Sequence, residues 1–193
     1  LDFHKDARPA AIASVCAQRQ GKFWPYHDAL YRNQRALKAK DLVSYAKAVG
    51  LDILRFKRCI ALKAQARWVN DDVNMAESVG VRGTPTLFIN GRKVNGPLEF
   101  EALSGLVKIA HAEAKKLRKQ GIAARDLYDH IVKKGKVWSR LGDKVHRFDL
   151  KSAATLGDPR RAAMKVVVFS DFECPYCQRI AGPLKKLKAH YGR

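Results

Sequence analysis

The first 80 residues repeat apolar side chains at the three- and four-residue spacing of amphipathic helices. This pattern predicts five consecutive helices, over residues 9–20, 23–33, 42–48, 53–60 and 64–78. Asp41 and Asp52 stand where the third and fourth helices need N-caps, because their carboxylates accept hydrogen bonds from unpaired backbone N–H groups. Gly21 and Gly50 are typical of helix C-termini. The chain therefore opens with a helical region.

A β pattern replaces the helical one after residue 80. Thr86–Ile89 is a short run of residues that favour strands, and Asn90-Gly91 after it favours a two-residue hairpin turn. Lys93 and Val94 are the predicted second strand, which Gly96-Pro97 ends. Apolar positions on one face then predict a long helix over Phe100–Lys119 and a short one over 123–134.

Two more strands are predicted in the last third of the chain. Residues 135–143 form a basic, turn-rich linker, and residues 145–150 alternate well enough for a strand. Residues 165–169 are a nearly continuous apolar run, which is typical of a buried strand. A final helix reaches His190, so the fold class predicted from the pattern is mixed α/β.

The charge is strongly basic, with 38 Lys and Arg against 18 Asp and Glu and a net charge of +20. Such a surface attracts nucleic acid, anionic lipid or acidic proteins. No nucleic-acid recognition module or interleaving of basic and aromatic residues is present, which favours a solvated basic surface over dedicated nucleic-acid binding. No run of 18 apolar residues occurs, so no membrane-spanning helix is predicted.

Four cysteines carry the candidate chemistry, and two of them form the motif Cys174-Pro175-Tyr176-Cys177 between a predicted strand and a predicted helix. Unpaired N–H groups and the helix dipole at such a position stabilise a thiolate on the first cysteine. The second cysteine, one turn further on, is close enough to form or resolve a disulfide. Pro175 suits the first helical turn, where its missing N–H costs nothing.

A zinc half-site is the structural alternative to redox chemistry. Zinc needs two more ligands at similar spacing, and Cys16 and Cys59 do not form a second C-x-x-C. Redox chemistry is therefore favoured, and neither a metal nor another cofactor is expected. Pro85, directly before a strand, indicates a fixed turn with a possible cis bond. Glu173 beside Cys174 is either a proton acceptor or a solvated loop acid.

The chain resembles the DsbA-like family, whose members are thioredoxin folds with a helical insertion. The resemblance rests on four stretches, which are residues 169–177 (FSDFECPYC), 1–7 (LDFHKDA), 21–24 (GKFW) and 83–91 (GTPTLFING). It implies that Cys174 attacks and Cys177 resolves, that Pro85 is cis and packs beside the sulfurs, and that Thr84 offers backbone hydrogen bonds to a bound peptide. Pro175 and Tyr176 complete the implied substrate-binding set.

The other two cysteines, Cys16 and Cys59, fall in different helices of the insertion. Members of the DsbA-like family sometimes carry a second, structural disulfide, which these two residues could form. Two buried free thiols are the alternative, since cysteine is common in protein cores.

The order of the segments departs from that of the DsbA-like family. Residues 1–80 are predicted as the helical insertion, 81–120 as the second part of the thioredoxin fold, 121–143 as a connector and 144–193 as the first part. One central strand of the family has no counterpart. A circular permutant, a slice across a tandem-domain protein, and two chains that exchange halves would each explain this order. We expect a second chain or neighbouring residues to complete the sheet.

The function expected is that of an exported, periplasmic thiol–disulfide oxidoreductase that acts on protein thiols and disulfides together with a redox partner protein. Tyr176 stands where strongly oxidising members of the family have histidine, and Thr84 resembles the isomerase-type relatives, so an isomerase or reductase is expected. A basic thioredoxin-scaffold binding protein, which engages nucleic acid or an acidic protein, is the alternative.

Overall fold

The computed structural model describes residues 4–94, 99–134, 141–150, 153–158, 162 and 164–191. Several sequence predictions fall outside these ranges. They are the first three residues of the stretch 1–7, the break at Gly96-Pro97 and residues 135–140 of the linker.

Eight α-helices, one short 3₁₀ turn and four strands make up the described chain. The helices are α1 (Ala7–Gln18), α2 (Phe23–Arg32), α3 (Ala39–Ala48), α4 (Ile53–Ala61), α5 (Lys63–Ser78), α6 (Phe100–Lys119), α7 (Leu127–Lys134) and α8 (Pro175–Tyr191). The strands are β1 (Thr86–Ile89), β2 (Arg92–Val94), β3 (Leu141–Val145) and β4 (Val166–Phe169). The mixed α/β class predicted from the sequence is confirmed, and helices predominate.

The predicted N-caps had different outcomes. Asp52 caps α4, where its carboxylate accepts a hydrogen bond from the Arg55 N–H at 3.0 Å. The prediction for Asp41 was wrong, because α3 begins three residues earlier and Lys38 is its N-cap. Asp41 lies inside the first turn and accepts a hydrogen bond from the Lys38 N–H at 3.2 Å. Its carboxylate therefore still satisfies an N–H group at the start of the helix.

The chain divides into two compact units. The first comprises residues 1–85 and 170–179, and so holds α1 to α5 together with the cysteine motif. Tyr26, Leu30 and Phe56 are fully buried in it. Cys16 of α1 and Cys59 of α4 are joined by a disulfide, so the structure decides between the two alternatives for this pair. The bond closes a loop of 43 positions across the helices.

The second unit comprises residues 86–169 and 180–193 and contains a four-stranded sheet in the order β3-β2-β1-β4. All three strand pairs are antiparallel. The predicted hairpin is confirmed, with Asn90 and Gly91 at positive φ values of 47° and 76°. This is the backbone conformation that a type I′ turn requires, and it explains the choice of Asn-Gly. Leu87, Ile89 and Val107 are central to the apolar core of this unit.

One predicted strand was misplaced. The strand lies at Leu141–Val145 instead of residues 145–150, within part of the predicted linker, and it pairs with β2. Residues 146–150 form no strand, although the His146 N–H still donates to the Gly91 carbonyl at 2.7 Å. The Phe148 ring packs on Phe88 and Phe169 at centroid distances of 4.9 and 5.8 Å, so the apolar position that suggested a strand is buried in an aromatic cluster.

The sheet has β4 at one edge among the described residues, with β1 as its partner. The DsbA-like resemblance places the absent strand on the other side of β4. Completion of the sheet by a second chain or by neighbouring residues stays a prediction, and so do the predicted domain boundaries. Within the described ranges, no helix combines the length and the hydropathy that crossing a membrane requires.

Candidate active site

The cysteine motif begins a helix, as the sequence predicts. Pro175 is the first residue of α8, and the Cys174 carbonyl accepts hydrogen bonds from the N–H groups of Cys177 and Gln178 at 3.1 and 3.2 Å. Cys174 therefore occupies the N-cap position. The partial positive charge of the helix N-terminus therefore lies beside its sulfur.

The turn that ends in Pro85 lies against this sulfur. The Thr84–Pro85 peptide bond is cis, as the family resemblance implied. The Cys174 thiol donates a hydrogen bond to the Thr84 carbonyl at 3.3 Å, across 90 positions of sequence. The structure thus brings together Thr84, Pro85 and Cys174, three of the residues selected from the sequence.

Cys177, the predicted resolving thiol, is almost completely buried. Its residue is 1% exposed. Burial raises the pKa of its thiol to about 11, although hydrogen bonds from the Asp171 N–H and the Ser170 hydroxyl oppose the shift. The Asp171 N–H lies 3.4 Å from Sγ. Cys177 is consequently a protonated thiol at neutral pH, which suits the second step of an exchange rather than the first.

We call residues 170–174, which precede α8, the cysteine loop. Side chains or backbone N–H groups of residues between 4 and 34 contact every residue of this loop. The contacts are Tyr31 Oη with Ser170 Oγ, His4 Nδ1 with Asp171 Oδ2 at 2.7 Å, Gln34 Nε2 with the carbonyls of Phe172 and Cys174 at 2.9 and 2.7 Å, and Glu173 Oε2 with the N–H groups of Asp6 and Ala7 at 2.8 and 2.9 Å. Sequence reasoning missed all of these partners, which lie at least 138 positions from the loop.

The sequence suggested that Glu173 is either a proton acceptor for Cys174 or a solvated loop acid, and its contacts differ from both. Its carboxylate accepts hydrogen bonds from the first N–H groups of α1, whose own N-cap residue, Asp6, makes no side-chain capping bond. A negative charge at a helix N-terminus is stabilising. Glu173 therefore acts as the cap of α1 and fastens the cysteine loop to that helix.

An aromatic cluster supports the same loop from α2. The rings of His27, Tyr31 and Phe172 lie with centroids 4.8 to 5.7 Å apart. Burial lowers the pKa of His27, although the hydrogen bond with Asp28 opposes this, and burial raises the pKa of Tyr31. Both side chains are therefore uncharged at neutral pH.

Tyr176, between the two cysteines, faces outward. It is 63% exposed, and the Arg179 guanidinium lies 5.3 Å from its ring centroid. An exposed aromatic ring at this point is placed to meet a molecule that approaches Cys174. Among the residues that the structure describes, no cluster of three His, Cys, Asp or Glu side chains could hold a metal ion.

Comparisons with known proteins add an independent observation. A family model described as thioredoxin matches residues 1–109, a stretch that includes Pro85 and stops before Cys174. The chain is 42% identical over 120 residues to Na(+)/H(+) antiporter NhaA 3 of Salinispora tropica, which covers 62% of this chain and 18% of the relative. It is 41% identical over 111 residues to Na(+)/H(+) antiporter NhaA 1 of Salinispora arenicola, with 58% and 17% covered.

A third similar protein, Na(+)/H(+) antiporter NhaA of Herminiimonas arsenicoxydans, is 33% identical over 108 residues, which are 56% of this chain and 17% of the relative. The chain thus spans less than a fifth of the curated relatives that it matches. No solved structure matches it. These matches bear out the thioredoxin part of the predicted resemblance, and they do not single out the DsbA-like members.

Proposed function

Because the chain belongs to the thioredoxin family, we propose that it is a thiol–disulfide oxidoreductase that acts on protein substrates through Cys174 and Cys177. One observation supports this proposal above the others. Cys174 caps the start of α8 and lies 3.3 Å from the carbonyl of Thr84, the residue before cis-Pro85. A cysteine that only filled the core would need neither the helix terminus nor this turn.

The reaction in the reducing direction has two steps. The Cys174 thiolate attacks one sulfur of a substrate disulfide, a mixed disulfide forms, and the other substrate sulfur leaves as a thiolate. Cys177 then loses its proton to solvent base and attacks Cys174 Sγ, which releases the second substrate thiolate. The substrate gains two electrons, and the protein retains a Cys174–Cys177 disulfide. Oxidation of a substrate dithiol is the same sequence in reverse.

The groups around Cys174 account for substrate binding in this proposal. The backbone of Thr84 and the ring of Pro85 would receive an extended peptide. Pro175 and the exposed ring of Tyr176 would border it on the other side. No charged pocket is needed, because main-chain contacts recognise peptides of varied sequence.

Direction, location and partner are further parts of the proposal. Tyr176 lacks the imidazole that could donate to a Cys174 thiolate, so we propose a reductase or isomerase rather than a strong oxidant. The Cys16–Cys59 disulfide is the kind of bond that persists in oxidising compartments, which supports an exported, periplasmic location. A redox partner protein would return the Cys174–Cys177 pair to its working state.

The relatives that the chain matches are named sodium–proton antiporters, and the matched segment is less than a fifth of each. The proposed function concerns this segment alone.

The basic surface favours a second candidate function, which is binding of an anionic partner such as nucleic acid or an acidic protein. The net charge of +20 is the observation behind it. Such binding would weaken steeply as salt is added and would not require either free cysteine. A Cys174→Ser/Cys177→Ser variant that kept the full function of the protein would favour binding of an anionic partner over redox chemistry.

Reduction of insulin by dithiothreitol tests the leading proposal. The wild-type protein should accelerate precipitation of the insulin B chain, and Cys174→Ser should return the rate to that of dithiothreitol alone, because the attacking thiol is removed and the remaining thiol, Cys177, is buried. Cys177→Ser should instead accumulate a mixed disulfide with substrate, visible by non-reducing electrophoresis. A wild-type rate equal to the background would refute the proposal.

A further inference from the structure

Because Cys177 is buried, it must be deprotonated before it can attack, and the cysteine motif alone supplies no group that assists this. A thiol that is 1% exposed and protonated at neutral pH must lose its proton before it attacks. Three groups donate toward its sulfur, namely the Asp171 N–H, at 3.4 Å, and the hydroxyls of Ser170 and Thr84. Their positions therefore govern how much thiolate forms at Cys177.

Two of these donors, those of Ser170 and Asp171, lie in the cysteine loop and are held by a single side chain on α2. The Tyr31 hydroxyl is hydrogen-bonded to Ser170 Oγ, and it also donates to the Asp171 carbonyl at 3.4 Å. The Tyr31 residue is 5% exposed, and its ring packs on Phe172. Its own carbonyl accepts a hydrogen bond from the side chain of Gln178, the residue after Cys177. Tyr31 thus contacts both sides of the cysteine motif.

The Tyr31 hydroxyl has one hydrogen, and Ser170 Oγ and the Asp171 carbonyl are the two acceptors within its reach. When Tyr31 donates to Ser170 Oγ, the nearer of the two, the hydrogen of Ser170 is left to donate to Cys177 Sγ.

Resting on the proposed function, we propose that Tyr31 is a positioning residue for Cys177, whose hydroxyl holds Ser170 and Asp171 where they stabilise the resolving thiolate. Its effect should fall on the second step of the exchange and leave the attack by Cys174 unchanged. Nothing in the C-x-x-C motif itself predicts a contribution from α2.

Other ionisable groups face the same sulfur or its partners. Cys174 lies on α8 beside Cys177, and the Asp171 carboxylate, paired with His4, lies in the cysteine loop. On α2, the His27 ring contacts Tyr31. A variant that changes only the Tyr31 hydroxyl leaves all of these in place.

The expected size of the effect follows from thiol chemistry. If loss of the hydroxyl raises the pKa of Cys177 by about one unit, the thiolate fraction at neutral pH falls about tenfold. The more basic thiolate is also the better nucleophile, with a Brønsted coefficient of about 0.4–0.5. The net expectation is a resolving step about threefold slower.

Stopped-flow reaction of the reduced protein with dithiobis(nitrobenzoate) separates the two steps. Attack by Cys174 releases one thionitrobenzoate in a phase that depends on reagent concentration. Attack by Cys177 on the resulting mixed disulfide releases a second one in a phase that does not. Tyr31→Phe should leave the first phase unchanged, slow the second about threefold and shift the pH profile of the second toward higher pH.

Tyr26→Phe is the matched control. Tyr26 is also a buried tyrosine of α2, but its hydroxyl donates to the Leu42 carbonyl at 3.0 Å, within the helical region. It should leave both phases as in the wild type. Ser170→Ala should also slow the second phase. The double variant should be slowed by less than the product of the two single effects, because Tyr31 acts in part through Ser170.

The outcomes are distinguishable. A wild-type protein that shows no concentration-independent second phase would overturn the proposed function and this inference with it. A normal second phase in wild type that Tyr31→Phe does not slow, or that Tyr26→Phe slows equally, would overturn the role of Tyr31 alone. A slower second phase with an unshifted pH profile would also overturn it, since a merely structural disturbance would act in that way.

Discussion

The two cysteine pairs of this chain occupy opposite ends of helices. Cys16 and Cys59 each lie near the C-terminal end of a helix, α1 and α4 respectively, and they form a disulfide. Cys174 caps the N-terminus of α8 and is a free thiol beside Cys177. The first pair therefore lies toward the negative ends of the dipoles of α1 and α4, and Cys174 lies at the positive end of the dipole of α8.

The contrast explains how one residue type serves two purposes within a single compact unit. The Cys16–Cys59 bond lies where its thiols, once freed, would be poor nucleophiles and buried from reagents. Cys174 and Cys177 receive hydrogen-bonding neighbours from the cysteine loop and from the turn at Thr84. Position on the helix, rather than burial, separates structural from reactive cysteine here.

Removal of the structural disulfide should produce the largest change in stability. The double variant Cys16→Ala/Cys59→Ala releases a loop of 43 positions, which corresponds to about 4 kcal/mol in the free energy of unfolding by the chain-entropy relation. Urea denaturation measures this loss. While folded, the variant should still react at Cys174, and a folded variant that had lost this reactivity would show that the two pairs are not independent.

A substitution of Glu173 measures how much the contact between the cysteine loop and α1, the helix that carries Cys16, contributes to the free energy of unfolding. Glu173→Gln removes the charge from the N-terminus of α1 and should lower the free energy of unfolding by about 0.5–1 kcal/mol. Glu77→Gln, at an exposed position of α5, is the control and should cost less. Equal losses in urea denaturation would mean that the cap on α1 contributes nothing specific.

The smallest expected effect concerns His27, whose ring lies between α2 and the cysteine loop. Burial lowers its pKa in the folded state, so the unfolded chain binds the proton more readily. The contribution of His27 to stability is therefore complete above the unfolded pKa of about 6.5 and declines as the pH falls below it. Stability should depend less on pH in His27→Gln than in the wild type.

His111→Gln, on the exposed face of α6, is the matched control for this measurement. Urea midpoints measured from about pH 7.5 down to about pH 5.5 cover the range in which an ordinary histidine titrates. If the wild type and His27→Gln lose stability in parallel, the aromatic cluster does not hold His27 in its neutral form.

Local signals in the sequence predicted much of this arrangement. Asn90-Gly91 identified the hairpin, because its backbone conformation excludes most other residues. Cys174-Pro175 identified the start of α8, since proline is tolerated in the first turn. Each of these features depends on residues within a few positions of one another.

Features that depend on distant partners were missed or misplaced. β3 contains Gly142 and Asp143, which are poor strand formers, and it exists because the edge of β2 offers a partner. The capping role of Glu173 requires the N-terminus of α1, 166 to 167 positions away. The link from Tyr31 to Cys177 likewise requires the fold that brings Ser170 to α2. No local pattern carries that information.

The spacing of the cysteines also bears on how the chain reaches its correct pairing during oxidative folding. Cys16 and Cys59 are 43 positions apart, whereas Cys59 and Cys174 are separated by 174 − 59 = 115. In the unfolded chain, loop-closure entropy favours the shorter encounter by about 0.9 kcal/mol, or about fourfold. Cys174 and Cys177 are nearer still to each other. The order of the cysteines along the chain therefore already disfavours mispairing between a reactive and a structural sulfur.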